Sequence, residues 1–278
     1  MAMIFNPRDI EHFIQHGFIK LAEVFSPEEA ARGTRRAFES LGCDINDPAT
    51  WNAPSARVAH SYLLDQRKET PKLWAAACEL VGGAERLEAG QHSWSDFLIL
   101  NLGHEADKPW AAPDDTAGWH KDGDFFRHFL DSPEQALLVI TLWSDISDRG
   151  GGTFIAPQSI GVVARYLLEH PEGVHPGGFP WQEMIRQCPE RIECTGQAGD
   201  AYLVHPFMLH TISANPNRRV RAIANMLYSL AEPMKLDRPE GNYSPVERAV
   251  LRGLGADRVA FAPARERFTR LGSTAVPK

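Results

Sequence analysis

Gly199-Asp200-Ala201-Tyr202-Leu203-Val204-His205-Pro206-Phe207-Met208-Leu209-His210 is the stretch on which the fold turns. It opens on a Gly-Asp turn, runs apolar, and places a histidine just before the polar segment Thr211 to Asn217. Short apolar runs rich in β-branched or aromatic residues and closed by turn residues read as strands. We therefore expect one strand over Ala201–His210 and another over Val220–Tyr228. With Ala214-Asn215-Pro216-Asn217 as a hairpin loop, the count sets Ser213 opposite Arg218 and His210 opposite Arg221.

The same texture extends upstream to Trp94. It predicts strands near Phe97–Asn101, Gly118–Asp122, Ala136–Trp143, Thr153–Ile155 and Arg191–Cys194. Many short strands without alternating helices argue for a jelly roll and against a parallel α/β sheet. Between Ser159 and Cys188 the spacing of Val162, Val163, Tyr166 and Leu167 predicts a helix, and the Gly/Pro-rich stretch from Gly173 to Pro180 an excursion loop. The first third reads as helical, with Asn6-Pro7 and Ser26-Pro27 as helix starts and Thr70-Pro71 opening a further helix. Ser244-Pro245-Val246-Glu247 has the grammar of a capping box. The expected class is mainly β with flanking helices in one domain over 1–278. Its parts are a mainly helical region over 1–93, a β core over 94–231 and a C-terminal helical extension over 232–278.

The 43% hydrophobic and 23% charged residues suit an ordinary globular chain with a sizeable core. A net charge of −7 makes a nucleic-acid or anionic-membrane partner a poor expectation and a small molecule a better one. The four cysteines, Cys43, Cys78, Cys188 and Cys194, show no zinc spacing and are too few to staple a chain of this size, so we expect free thiols in a reducing cytoplasm. The N-terminal residues lack the pattern of a signal peptide, and no apolar run approaches the roughly 20 residues that span a bilayer. Oligomeric state is open.

His120 and Asp122 stand two apart, so on a strand both side chains leave the same face. An imidazole beside a carboxylate is two-thirds of a facial triad for iron(II), although a solvated loop pair gives the same letters. His210 with Arg221 is the second constellation. A metal ligand and a permanent cation on one face suit an anionic co-substrate held at both ends, because a guanidinium grips a carboxylate through two parallel hydrogen bonds.

With these residues in hand, the chain resembles the phytanoyl-CoA dioxygenase family of iron(II)/2-oxoglutarate oxygenases along nearly its whole length. The likeness rests on Phe13-Ile14-Gln15-His16-Gly17-Phe18-Ile19, Phe25-Ser26-Pro27-Glu28-Glu29, Leu98-Ile99-Leu100-Asn101, Trp119-His120-Lys121-Asp122, Gly151-Gly152-Thr153-Phe154-Ile155-Ala156-Pro157-Gln158-Ser159, and His205-Pro206 through His210, Asn215 and Arg221. The resemblance implies a double-stranded β-helix, a cupin-like jelly roll. It implies His120, Asp122 and His210 as iron ligands, Arg221 at the remote carboxylate of 2-oxoglutarate, and Trp143 and Asn101 beside that co-substrate. It further implies O2-dependent oxidation, with hydroxylation favoured because Asp122 keeps the carboxylate, and release of succinate and CO2. The sequence departs from the family at Lys121, where glutamine is common, at Leu102, and at Gln158-Ser159-Ile160.

Residues just beyond the iron motif are candidate substrate contacts: Trp119, Phe125, Phe126 and Arg127, with His128. Arg57, His60 and Tyr62 occupy an irregular stretch that would fold over the mouth as a lid. Two other readings stay open. One is a cupin-like isomerase or hydrolase whose metal acts as a Lewis acid without O2, and the other is a non-catalytic β-sandwich that binds ligands.

Overall fold

The computed structural model describes residues 3–59, 64–94 and 97–267. Helix α1 (Pro7–His16) starts where the Asn6 side chain accepts from the Arg8 and Asp9 amides and Asp9 returns the contact, and it ends at Gly17 with φ 72°. Strand β1 (Phe18–Leu21) precedes α2 (Pro27–Leu41), which Ser26 caps at the Glu29 amide. Then come β2 (Ser55–Ala59), β3 (Leu64–Asp65), α3 (Gln66–Glu69), α4 (Pro71–Val81) and β4 (Ser93–Trp94). The strand-rich half contains β5 (Phe97–Asn101), β6 (Leu137–Leu142), β7 (Thr153–Ala156), α5 (Ser159–Glu169), α6 (Trp181–Arg186), β8 (Ile192–Cys194), β9 (Ala201–Val204), β10 (Leu209–Ile212) and β11 (Arg221–Tyr228). Helix α7 (Pro245–Leu254) closes it under the Ser244/Glu247 capping box.

The larger sheet runs β1-β9-β6-β11-β5-β2 and the smaller β10-β7-β8, with every neighbouring pair antiparallel. They face each other across a cavity, and helices cover the outer face of the larger sheet. This is the jelly roll expected from the strand texture, in the double-stranded β-helix form that the resemblance implies. Both edge strands of the larger sheet, β1 and β2, come from the mainly helical first third. Residues two apart on a strand share a face, so β11 points Arg221, Ile223 and Asn225 inward. Met226 and Tyr228 point outward, where Gln66 of α3 reaches Met226 Sδ at 3.2 Å and the Tyr228 ring packs 6.1 Å from that of Trp74 on α4. Among the described residues no helix is long and apolar enough to cross a membrane.

Three expectations are overturned. The strand expected over Ala201–His210 breaks at His205-Pro206, where the missing proline N–H and a turn closed by Met208 N to His205 O at 2.9 Å send the chain from the larger sheet into the smaller. No hairpin therefore joins β10 to β11: His210 lies opposite Ile155, and Arg221 opposite Asn101. The expected strand Gly118–Asp122 shrinks to one bridge between His120 and His210, because Gly118 and Gly123 adopt φ of 68° and 115° on either side of it.

Trp143, just past β6, is 1% exposed and packs against α2, where Gly33 leaves room for it. A Cβ at Gly33 would come within 2.4 Å of the indole. Helix propensity alone would make Gly33→Ala stabilising by about 1 kcal/mol, but overpacking a core commonly costs about 1–3 kcal/mol. We expect the clash to win, so that Gly33→Ala lowers the urea midpoint at unchanged m. A raised midpoint would show that α2 can shift off Trp143.

Candidate metal centre

The His120–His210 bridge is a mutual one. His120 N donates to His210 O at 3.1 Å, and His210 N donates to His120 O at 2.8 Å. This locks the loop after Gly118 onto the start of β10 and brings the two imidazoles to a centroid separation of 4.5 Å. His120 Nδ1 lies 2.9 Å from Gly118 O and His210 Nδ1 lies 3.2 Å from Met208 O. A carbonyl only accepts, so both rings carry their proton on Nδ1 and keep the Nε2 lone pair. Those lone pairs converge on Asp122, whose Oδ1 is 3.7 Å from His120 Nε2 and 3.5 Å from His210 Nε2.

The three donor atoms lie within 4.8 Å of one another. Neighbouring ligands about 2.1 Å from an ion at a right angle stand about 3 Å apart, so a small contraction would close this set on a metal. His210 Nε2 is buried with no hydrogen-bond partner, a state worth about 1–3 kcal/mol of penalty unless a ligand takes the lone pair. Burial pushes the Asp122 carboxyl up, but positive charge on the facing His210 and His120 rings, when they are protonated, outweighs it and holds the group well below the usual carboxylate range. Asn225 Nδ2 donates to Asp122 Oδ2 at 3.4 Å, leaving Oδ1 toward the rings. Two imidazoles and one carboxylate with one side open fit iron(II).

Lys121, between the two motif ligands, points the other way. Its Nζ donates to Asp122 O at 3.2 Å and to Gln135 Oε1 at 2.8 Å, and lies 2.6 Å from His128 Nδ1. The far side of that ring, Nε2, donates to Gly123 O at 2.7 Å. Burial brings Lys121 down to about 7. The metal loop is thus fastened from behind by a buried polar chain.

The triad opens on a cavity of about 420 Å³ lined from both sheets, by Ile99, Ile223 and Arg221 on one side and by Thr153 and Ile212 on the other. Arg221 is 2% exposed. Its partners are neutral: Gly151 O at 2.7 Å from Nε, Thr153 Oγ1 at 3.3 Å and Ile99 O at 3.5 Å. Burial pushes it down to about 10 against a smaller opposing pull from Cys194 and Glu193, so it stays charged at neutral pH, and among the described residues no carboxylate lies within ion-pair distance of it.

Arg57 lies on β2 and lines this cavity, so the expected irregular stretch is in part an edge strand. His60 and Tyr62 lie outside the described residues. Phe125 lines an adjoining cavity that also touches Asp122. The other candidates lie elsewhere. Asn101 is buried one row from the cavity wall, its amide spent on Gly151 O, Ser213 O and the Gly103 and His104 amides. Trp143 lines neither cavity; its Nε1 donates to Thr141 Oγ1 and its ring packs on Phe25. Trp119 is buried with Nε1 on Asp114 O beneath Arg191. Phe126 packs against His128, and Arg127 donates to Gly173 O. Asn225 was not among the candidates. It stands four residues along β11 from Arg221 on the same face, which strand period would have shown.

No family model matches the chain, and no curated protein matches its sequence. Solved structures match its fold. The non-heme alpha ketoglutarate dependent carbocyclase SnoK from nogalamycin biosynthesis superposes with a TM-score of 0.53 at 16% identity, over 84% of this chain and 88% of that one. AviO1 from Streptomyces viridochromogenes Tue57 gives 0.50 at 16% identity, over 84% and 98%.

His205 is as buried as His210 but serves the scaffold. Its Nε2 lies 3.2 Å from Val246 O on α7 and its Nδ1 accepts from Phe207 N at 3.1 Å, so both ring nitrogens are engaged away from the triad. His210→Ala should abolish stoichiometric iron(II) retention after anaerobic desalting. His205→Ala should keep the metal while costing about 1–3 kcal/mol of stability from the orphaned Phe207 amide. Iron lost from the His205 variant and kept by the other would reverse the assignment.

Proposed function

We propose that this chain is an iron(II)/2-oxoglutarate-dependent oxygenase that hydroxylates a small organic substrate, close in type to the phytanoyl-CoA dioxygenases. The observation that carries the reading is Arg221: a buried cation with no ion pair to a described carboxylate, lining the same cavity as a His/Asp/His set. A buried charge with no ion-pair partner is costly, so the site is suited to an anion. A Lewis-acid isomerase or hydrolase has no need of that anchor. The SnoK structure, of the same fold, is that of an alpha ketoglutarate dependent enzyme.

Iron(II) and 2-oxoglutarate, when bound, supply the activation of O2 that leaves succinate and CO2 and oxidises the substrate. His120, Asp122 and His210 would hold the metal from one side. The backbone carbonyls of Gly118 and Met208 fix the ring tautomers, and Asn225 fixes the tilt of the Asp122 carboxylate. Arg221 would take the remote carboxylate of the co-substrate through its paired N–H groups. Ile99, Ile212 and Ile223 keep water from the space between these two anchors. Retention of the carboxylate at Asp122 supports hydroxylation over halide chemistry.

Anaerobic addition of 2-oxoglutarate to the iron(II)-loaded protein should raise the weak visible charge-transfer band of a chelated 2-oxo acid, and O2 should then yield succinate. Arg221→Lys should keep iron but weaken 2-oxoglutarate by about 10- to 100-fold, because one ammonium cannot reproduce a two-pronged contact. A metal-loaded protein with neither band nor 2-oxoglutarate binding would sink the reading.

A further inference from the structure

The metal cavity continues into a second one of about 530 Å³, and Arg57, Ile99, Asp122 and Asn225 line both. Cross-strand register explains how. On the inner face of the larger sheet, Arg57 stands beside Ile99, which stands beside Ile223, and the next row along β5 is Phe97. The second cavity adds Phe97 and Phe125, which are 51% and 42% exposed; of the other described large hydrophobics only Met3 is comparably open. Two phenyl rings left on the wall of one cavity beside a metal set are a place for a ring.

Two polar groups complete the wall. Arg57 is exposed and makes no hydrogen bond or ion pair with any described residue, so its guanidinium is available to an incoming anion. Asn225 bridges the cavities, and its orientation is settled by Asp122: the carboxylate accepts only, so Nδ2 faces it and Oδ1 is left buried and without a partner. Asp124 also lines the outer cavity, and its charge disfavours a second negative group on the ligand.

Resting on the oxygenase reading of the same centre, we propose that the second cavity is the substrate site and that it takes a monoanionic aromatic or alicyclic carboxylate. Arg57 holds the carboxylate, Phe125 and Phe97 flank the ring, and Asn225 Oδ1 accepts from a hydroxyl or amino group carried near the metal.

The experiment uses iron(II)- and 2-oxoglutarate-loaded protein under anaerobic conditions, with 3-phenylpropionate, 3-phenylpropionamide and 3-phenylpropylamine as probes in equilibrium dialysis. The carboxylate should bind at least about tenfold more tightly than the amide, in line with a charge-assisted bidentate contact. Arg57→Gln should erase that preference while the 2-oxoglutarate Kd stays within about twofold of the parent. Phe125→Ala should weaken carboxylate and amide alike. Equal binding of amide and carboxylate, preference for the amine, or no binding of any probe by protein that shows the 2-oxoglutarate band would overturn the substrate class and leave the oxygenase reading standing. Loss of 2-oxoglutarate affinity in Arg57→Gln would overturn it too, since Arg57 would then belong to the co-substrate. Absence of the band in the parent protein defeats the oxygenase reading itself, and this proposal with it.

Discussion

Two backbone hydrogen bonds between His120 and His210 hold the centre together. The two histidines come from distant parts of the chain, one from a loop between strands of the larger sheet and one from a strand of the smaller. A metal set tolerates little error in position, of the order of 0.5 Å, and side-chain packing alone would not deliver that for a loop. The reciprocal amide-to-carbonyl pair does, because it fixes both Cα atoms as an antiparallel hydrogen-bonded pair. Everything else at the site acts on this frame. The tautomer-setting carbonyls of Gly118 and Met208 lie two residues before each ligand, and the Lys121 chain braces the loop from the opposite side.

Charge is distributed about this frame in an uneven way. The chain carries a net charge of −7, yet two cations, Lys121 and Arg221, are buried near the triad without an ion pair to any described carboxylate. The chemistry of the two groups separates their roles. An ammonium in a neutral cage can shed its proton, and burial brings Lys121 down to about 7. A guanidinium cannot do so at neutral pH, with Arg221 at about 10. Lys121 can therefore settle into its network with Gln135 and His128, whereas Arg221 keeps a demand for an anion that the described protein does not meet.

Much of this was legible in the sequence. The helix starts at Asn6, Ser26 and Ser244 are local chemistry, and local chemistry is readable: a capping side chain reaches an amide only two or three residues away. Strand texture identified the fold class, and the H-x-D pair with its distal histidine named the three side chains that converge on one point. Topology was harder. The hairpin count placed His210 beside Arg221 through a direct pairing, but they sit on facing sheets and meet only across the cavity. The count failed at Pro206, where a single missing N–H moves the chain between sheets, and nothing in the alternation of apolar residues announces such a change. Trp143 shows the same limit. Its neighbours in sequence lie on β6, but the direction of its ring was decided by Gly33, more than a hundred residues away.

The division of labour between sheets explains how two ligands could be kept apart. Along β11 the inward residues Arg221, Ile223 and Asn225 succeed one another at two residues per step, so that Arg221 and Asn225 stand about 13 Å apart at the usual rise of about 3.3 Å per residue. Arg221 occupies the closed end, walled by Gly151 and Thr153. Asn225 occupies the open end, in contact with Asp122 and beside the second cavity. Under the proposed reading, the co-substrate is drawn past the metal to the closed end and the substrate stops at the open end. The order of binding then follows from the shape of one strand, because a ring held at Phe125 would stand in the path that 2-oxoglutarate must take to reach Arg221.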